Sequence, residues 1–123
     1  MVGLVAAGGA LGAVARYLVN SLVAWLGWAG WTATLAVNLL GGLAMGALYA
    51  WLASRADPTA WRLLLATGVL GGFTTFSAFS LEVWQMLERR EVGLALGYAA
   101  GSVVLAVGAV ALGAVLARRW FGI

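Results

Sequence analysis

The sequence has no cysteine, no histidine and no lysine, a single proline, and only four acidic residues, Asp57, Glu82, Glu88 and Glu91. Without thiols and imidazoles there is no disulfide, no thiolate nucleophile, no imidazole base and no ordinary zinc, haem or iron–sulfur ligand set. Asp57, Glu88 and Glu91 fall in expected connections, so one chain has no pair of carboxylates to set around a substrate inside its apolar body. These absences argue against an enzyme. The net charge of +3 is carried by seven arginines that never run longer than two residues, which argues against nucleic acid as a partner.

Apolar residues are what the chain has in excess. They make up 64% of its 123 residues and charged residues 9%, against about 45–50% and about 25% in soluble domains. A helix needs about 20 apolar residues to cross a bilayer, so four of them use about 80 and leave room for short connections only. The expectation is an all-α membrane protein with one four-helix domain over residues 1–123, its spans at about 2–26, 32–53, 58–88 and 92–118. Four short helices fill their own interior, so a transport role calls for more than one copy.

Local signals set these bounds. The first apolar run carries one charge, Arg16, and lacks the basic start and short apolar core of a signal peptide, so it reads as a retained span. The short, uncharged connection at about 27–30 makes the first two spans antiparallel neighbours. Asp57 can cap the third span, with Pro58 in its first turn, where a missing N–H costs nothing. The charged turn Glu88-Arg89-Arg90-Glu91 closes that span. All seven tryptophans, Trp25, Trp28, Trp31, Trp51, Trp61, Trp84 and Trp120, lie near expected membrane boundaries, where indole rings concentrate. Arg55, Arg62, Arg118 and Arg119 fall on one side and Arg89 and Arg90 on the other, a weak bias that permits insertion in either orientation.

Glycine, at 18 residues, is about twice its usual share. The four-residue spacings Gly8–Gly12, Gly42–Gly46 and Gly93–Gly97–Gly101 are expected to mark faces where helices meet.

The third span carries the most informative stretch. Gly71-Gly72-Phe73-Thr74-Thr75 predicts a break that either frees backbone carbonyls for a hard cation or is healed by threonine hydroxyls bonding back to the helix. Phe76 and Phe79 follow on one face, either as packing residues or as ring edges, whose positive rim can meet an anion without a formal charge. Asn38, the one carboxamide within span two, must face protein, water or ligand. Thr34 lies one turn before it, and Tyr98 and Ser102 share a face of span four. These hydroxyls could form a donor track or simple interhelical bonds. Arg16 and Glu82 are the ionisable groups placed inside spans.

Three ordered motifs resemble the Fluc (CrcB) family of small fluoride channels. They are Gly8-Gly9-Ala10-Leu11-Gly12-Ala13-Val14-Ala15-Arg16-Tyr17 in span one, Thr34-Leu35-Ala36-Val37-Asn38-Leu39-Leu40-Gly41 in span two, and Gly68-Val69-Leu70-Gly71-Gly72-Phe73-Thr74-Thr75-Phe76-Ser77-Ala78-Phe79-Ser80-Leu81-Glu82 in span three. The resemblance implies an antiparallel, dual-topology homodimer in the plasma (inner) membrane, with two pores at the interface that pass fluoride down its gradient. It implies Phe76, Phe79, Asn38, Ser77, Tyr98, Ser102 and Thr34 along the fluoride path, Glu82 as the third-span acid, and Arg16 at a vestibule or in structure. It also implies a central sodium ion held by the Gly71 and Thr74 carbonyls of both subunits. Ala78 and Ala106 stand where the family carries hydroxyl residues. A proton-coupled exporter of the small multidrug type shares the length and span count, but it needs an acid in the first helix, where this chain has Arg16. A non-transporting assembly subunit would use the glycine faces and leave the third-span motif without a purpose.

Overall fold

In a computed structural model that describes residues 1–123, the chain is all helix and connections. Helix α1 covers Val2–Trp25 and α2 covers Gly30–Ala53. The third span is composite: α3 (Thr59–Trp61), a π-helical stretch (Arg62–Leu70) and α4 (Gly71–Phe73) run on continuously. Helix α5 then covers Ser77–Glu88, and α6 covers Val92–Phe121. Four helical segments, Val2–Trp25, Gly30–Ala53, Thr59–Glu88 and Val92–Phe121, are long and apolar enough to cross a membrane.

The turns follow from local chemistry. Helix α1 ends where Gly27 takes a left-handed φ of 71°. Its N–H then reaches the Ala24 carbonyl at 3.0 Å and that of Trp28 reaches Val23 at 3.1 Å, so two orphan carbonyls of the last turn are satisfied. The turn after α5 has the same form with a different residue. Arg90 is left-handed at φ 62°, while its own N–H bonds to Leu87 and that of Glu91 to Met86. Before α3, Oδ1 of Asp57 accepts the Thr59 N–H at 3.1 Å, and that bond holds the Asp57 carboxyl below its usual pKa.

Glycine decides which helices touch. A Cβ on Gly12 would run into the Val69 carbonyl and the Phe73 nitrogen, and one on Gly8 into Leu64 and Gly68. Helix α1 therefore lies backbone to backbone on residues 62–73. Helix α2 meets α6 in the same way, with Gly46 against the Val110 carbonyl and Gly113 against that of Leu43. One expectation is corrected here. A Cβ on Gly93, Gly97 or Gly101 would meet nothing within 4 Å, so this stripe is no close-contact face within the chain, and the α6 glycine that packs backbone to backbone is Gly113. The four-residue spacing of the stripe could not tell an occupied face from an open one.

Only 19 of the 123 residues are buried, and side chains such as Leu96, Val104 and Val107 stand outward. An apolar exterior of this kind suits lipid, and with lipid outside, close packing takes over from the hydrophobic effect in joining the helices. The one cluster of larger core residues, Met86, Ala95 and Tyr98, is flanked by Trp31, Leu35, Phe79 and Val83. It sits where α2, α5 and α6 converge.

Candidate functional site

Between Phe73 and Ser77 the backbone leaves the helical path, and Thr74 is extended at φ −81°, ψ 157°. Gly71 and Gly72, expected in the irregular stretch, are helical. The Thr74 N–H still reaches the Leu70 carbonyl at 3.0 Å, so the departure begins after that bond, at Thr74 itself.

What holds the departure is a side chain of α2. The Asn38 Nδ2 donates to the Thr75 carbonyl at 2.9 Å, and the Thr75 N–H donates to Asn38 Oδ1 at 2.9 Å. The carboxamide thereby replaces two backbone partners with groups of matching polarity. Thr75 Oγ1 accepts the Ala78 N–H at 3.2 Å and starts α5. Thr74 Oγ1 donates back to the Leu70 carbonyl at 2.9 Å.

These substitutions have a consequence for the carbonyls they bypass. In an unbroken α-helix the Thr75 N–H would go to Gly71 and the Ala78 N–H to Thr74. Both go elsewhere, so the Gly71 and Thr74 carbonyls keep acceptor capacity. The Phe76 N–H likewise has no hydrogen-bond partner in the chain. At bilayer depth a backbone polar group needs a partner from protein, water or an ion, so these three are open valences of the fold.

A groove of about 450 Å³ runs past this junction, lined among others by Asn38, Thr74, Thr75, Phe76, Phe79, Ser102 and Ala106. The Phe76 ring is 77% exposed into the open. It lies 5.5 Å from the Phe79 ring, centroid to centroid, and Phe79 lies 5.1 Å from Tyr98. Gly41 clears the space beside the junction, since a Cβ there would strike the Thr74 methyl group. Ser77 is exposed at the start of α5.

Thr34, Tyr98 and Glu82 form a separate cluster. Thr34 Oγ1 donates to Glu82 Oε1 at 2.5 Å and the Tyr98 hydroxyl to Oε2 at 2.7 Å. Each carboxylate oxygen thus accepts one hydroxyl hydrogen, and neither Thr34 nor Tyr98 has that hydrogen left for a ligand. Ser102 differs: its Oγ is buried and without a partner. Arg16 is half-buried on α1 and pairs with nothing, since the chain's one ion pair joins Arg89 to Glu91. The structure therefore brings Asn38, Thr74, Phe76, Phe79 and Ser102 to one groove, holds Thr34 and Tyr98 on Glu82, and leaves Arg16 apart. Gly41 at the junction and Trp31 beside Tyr98 are site residues that sequence reasoning did not single out. The four-residue relation of Gly41 to Val37 and of Trp31 to Leu35 puts them on ordinary packing faces and gives no separate signal.

The groove offers an anion neutral donors and phenyl rings, and Thr74, with its free carbonyl, lies on its wall. The profile of the CrcB-like protein family, Camphor Resistance (CrcB), matches residues 3–114. A protein of Phenylobacterium zucineum (strain HLK1) described as a fluoride-specific ion channel FluC is 57% identical over 122 residues, covering 96% of this chain and 95% of that one. Proteins with the same description from Caulobacter sp. (strain K31) and Caulobacter vibrioides (strain NA1000 / CB15N) are 54% and 50% identical, over 98% and 96% of this chain and 96% and 95% of their own lengths.

Proposed function

This chain belongs to the CrcB-like family, and from that membership and the junction groove we propose that it is a fluoride-selective ion channel of the plasma membrane that lets cytoplasmic fluoride leave passively. The observation that carries the reading is the meeting of Phe76, Phe79 and Asn38 on one open groove, in a chain at least half identical to three relatives described as fluoride channels.

The chemistry suits a small anion. Asn38 spends its oxygen and one N–H on Thr75 and keeps a second N–H. The Phe76 N–H is free, and the positive edges of the Phe76 and Phe79 rings supply weak, successive contacts. No cationic side chain lines the groove, so the ion is never bound too tightly to leave. Export needs no coupled reaction. Hydrogen fluoride enters as a neutral acid and dissociates in a less acidic cytoplasm, and a negative-inside potential then drives the anion out with about 2.3 kcal/mol per 100 mV. The protein's own step, the passage of the ion, makes or breaks no covalent bond, so the protein acts as a channel and not as an enzyme.

A groove open along its length is half of a pore. In this proposal a second copy, inserted in the opposite orientation, closes two such grooves into two pores of a dual-topology homodimer. The junction of the third span, interrupted at residues 74–76, lies at the centre of that dimer. The Gly71 and Thr74 carbonyls, free of helical donors, suit a hard cation such as sodium, and a two-fold partner would double their number. Held there, the ion would fix the two junctions relative to each other. Glu82 and its two hydroxyl donors brace α2, α5 and α6 beside the path.

Potassium fluoride efflux from vesicles carrying the purified protein, with valinomycin present and chloride-loaded vesicles in parallel, tests the reading. Valinomycin-dependent fluoride loss without chloride loss is expected. A correctly assembled protein that passes no fluoride would overturn it.

A further inference from the structure

A second hollow, of about 270 Å³, opens between α2 and α6 and is lined by Trp31, Leu35, Gly97, Tyr98, Gly101 and Ser102 among others. Its α6 wall is the glycine stripe, where an added Cβ would meet only open space. Two observations mark it as more than a gap between helices. The hydroxyl of Ser102, a residue 9% exposed, has no hydrogen-bond partner, although burying a polar group unpaired is costly. Trp31, a half-buried residue on the wall of the hollow, makes no side-chain hydrogen bond within the chain, and its indole N–H can only donate. Tyr98 offers the hollow its ring, because its hydrogen is held by Glu82.

The position of the hollow gives it a direction. Trp31 stands at the start of α2, near the membrane boundary. Its ring lies 5.2 Å from Tyr98, Tyr98 lies 5.1 Å from Phe79, and Phe79 lies 5.5 Å from Phe76. Four rings thus step from the boundary to the junction, and Ser102 lines both the hollow and the junction groove. The Trp31 indole can only donate and the Ser102 hydroxyl can donate as well, so a ligand that accepts suits both. The volume, several times the roughly 30 Å³ share of one water molecule, suits an ion that still carries part of its hydration. The Glu82 carboxylate lies beyond the Tyr98 hydroxyl and repels an anion from that end, which leaves the Trp31 end as the favoured position.

We propose that this hollow is an outer waiting site where a partly hydrated small anion, fluoride in this channel, is held by the Trp31 indole N–H before it passes Ser102 toward Phe79 and Phe76. The proposal rests on the channel reading above and adds to it a recognition group at the mouth. Trp31 is a binding residue of that site, and its ring is also part of the packing around Tyr98.

The test uses the full chain in lipid nanodiscs with tryptophan labelled at the indole nitrogen, which gives seven N–H signals. Trp31→Phe keeps an aromatic ring and removes the donor, and the signal lost in that variant identifies Trp31. Sodium fluoride is then titrated against sodium chloride at constant sodium. The Trp31 proton is expected to move downfield saturably with fluoride, well beyond the other six signals, and to stay in place with chloride. In vesicles, Trp31→Phe should raise the half-saturating fluoride concentration about two- to tenfold, the loss of one neutral hydrogen bond. An indole that does not move in protein whose vesicles conduct fluoride would overturn the proposal, and so would an equal shift with chloride. Vesicles of the unaltered protein that fail to conduct would defeat the channel reading instead, whatever the indole does.

Discussion

The side chain of Asn38 and the backbone of Thr75 are bonded in both directions, Nδ2 to the carbonyl and N–H to Oδ1, each at 2.9 Å. One carboxamide therefore stands in for a missing piece of helix, and it does so at the wall of the groove proposed to carry fluoride. Structural support and ion contact meet in the same group.

Asn38→Asp separates the two roles from tolerance of shape alone. The carboxylate keeps an acceptor for the Thr75 N–H but sets a second acceptor against the Thr75 carbonyl, and it adds a negative charge to an anion path. Fluoride efflux is expected to fall by at least about tenfold through like-charge repulsion in a site of low dielectric. Thermal unfolding in detergent should show a loss of about 1–3 kcal/mol from the unsatisfied carbonyl. An Asn38→Asp protein that conducts at the normal rate would remove Asn38 from the pore lining.

Phe76 and Phe79 are expected to part company when replaced by isoleucine. Phe76 is 77% exposed and touches little besides Phe79, so Phe76→Ile should leave stability within about 0.5 kcal/mol. Phe79 packs on Tyr98 and the Met86 core, so Phe79→Ile should cost about 1–3 kcal/mol. Both should nonetheless abolish fluoride efflux, because isoleucine has no positive ring edge to offer. Flux and unfolding measured on the same preparations check this. Loss of flux that tracked loss of stability would make the rings packing residues.

Among these elements, some were legible from sequence and others were not, for physical reasons. The four long apolar helices follow from the run lengths and from Asp57-Pro58 and Glu88–Glu91 as punctuation. Asn38 was marked by its type, because a carboxamide in an apolar run needs a partner, but the partner is 37 residues away and no spacing rule names it. The π-helical stretch Arg62–Leu70 carries no signature, since its leucines and glycine suit an α-helix equally well. The glycine stripes misled in one case for a related reason: Gly46 and Gly97 sit in the same four-residue pattern, but Gly46 lies against the Val110 carbonyl while Gly97 faces open space. Local sequence fixes a face, and what covers that face depends on how the other helices arrive.

That contrast is itself testable. Gly46→Ala must push α2 from α6 at a backbone-to-backbone contact, and a loss of about 1–3 kcal/mol is expected from forced overpacking. Gly97→Ala meets no atom of its own chain and should leave the fold of the subunit intact, with stability unchanged or raised by up to about 1 kcal/mol from the better helix former. Its effect should appear instead in fluoride flux, through the hollow it narrows. Far-ultraviolet circular dichroism melts and vesicle efflux on both variants separate the two outcomes.

Arg90 gives a prediction that touches stability without touching the path. It occupies the left-handed position in the turn after α5, at φ 62°, where the Glu91 N–H reaches back to Met86. A side chain there places its Cβ against the following carbonyl, a penalty of about 1–2 kcal/mol that glycine does not incur. The Arg89–Glu91 pair beside it is exposed and independent of Arg90, so no ion pair is lost by its removal. Arg90→Gly is therefore expected to raise the unfolding free energy by about 1 kcal/mol, less what the more flexible unfolded chain takes back. Arg90→Ala keeps the Cβ and should bring no gain. Equal melting temperatures for the two variants would show that the turn stores no strain at this residue, while a gain confined to glycine, with fluoride efflux unaltered in both, would place the strain in the backbone of Arg90 and not in its charge.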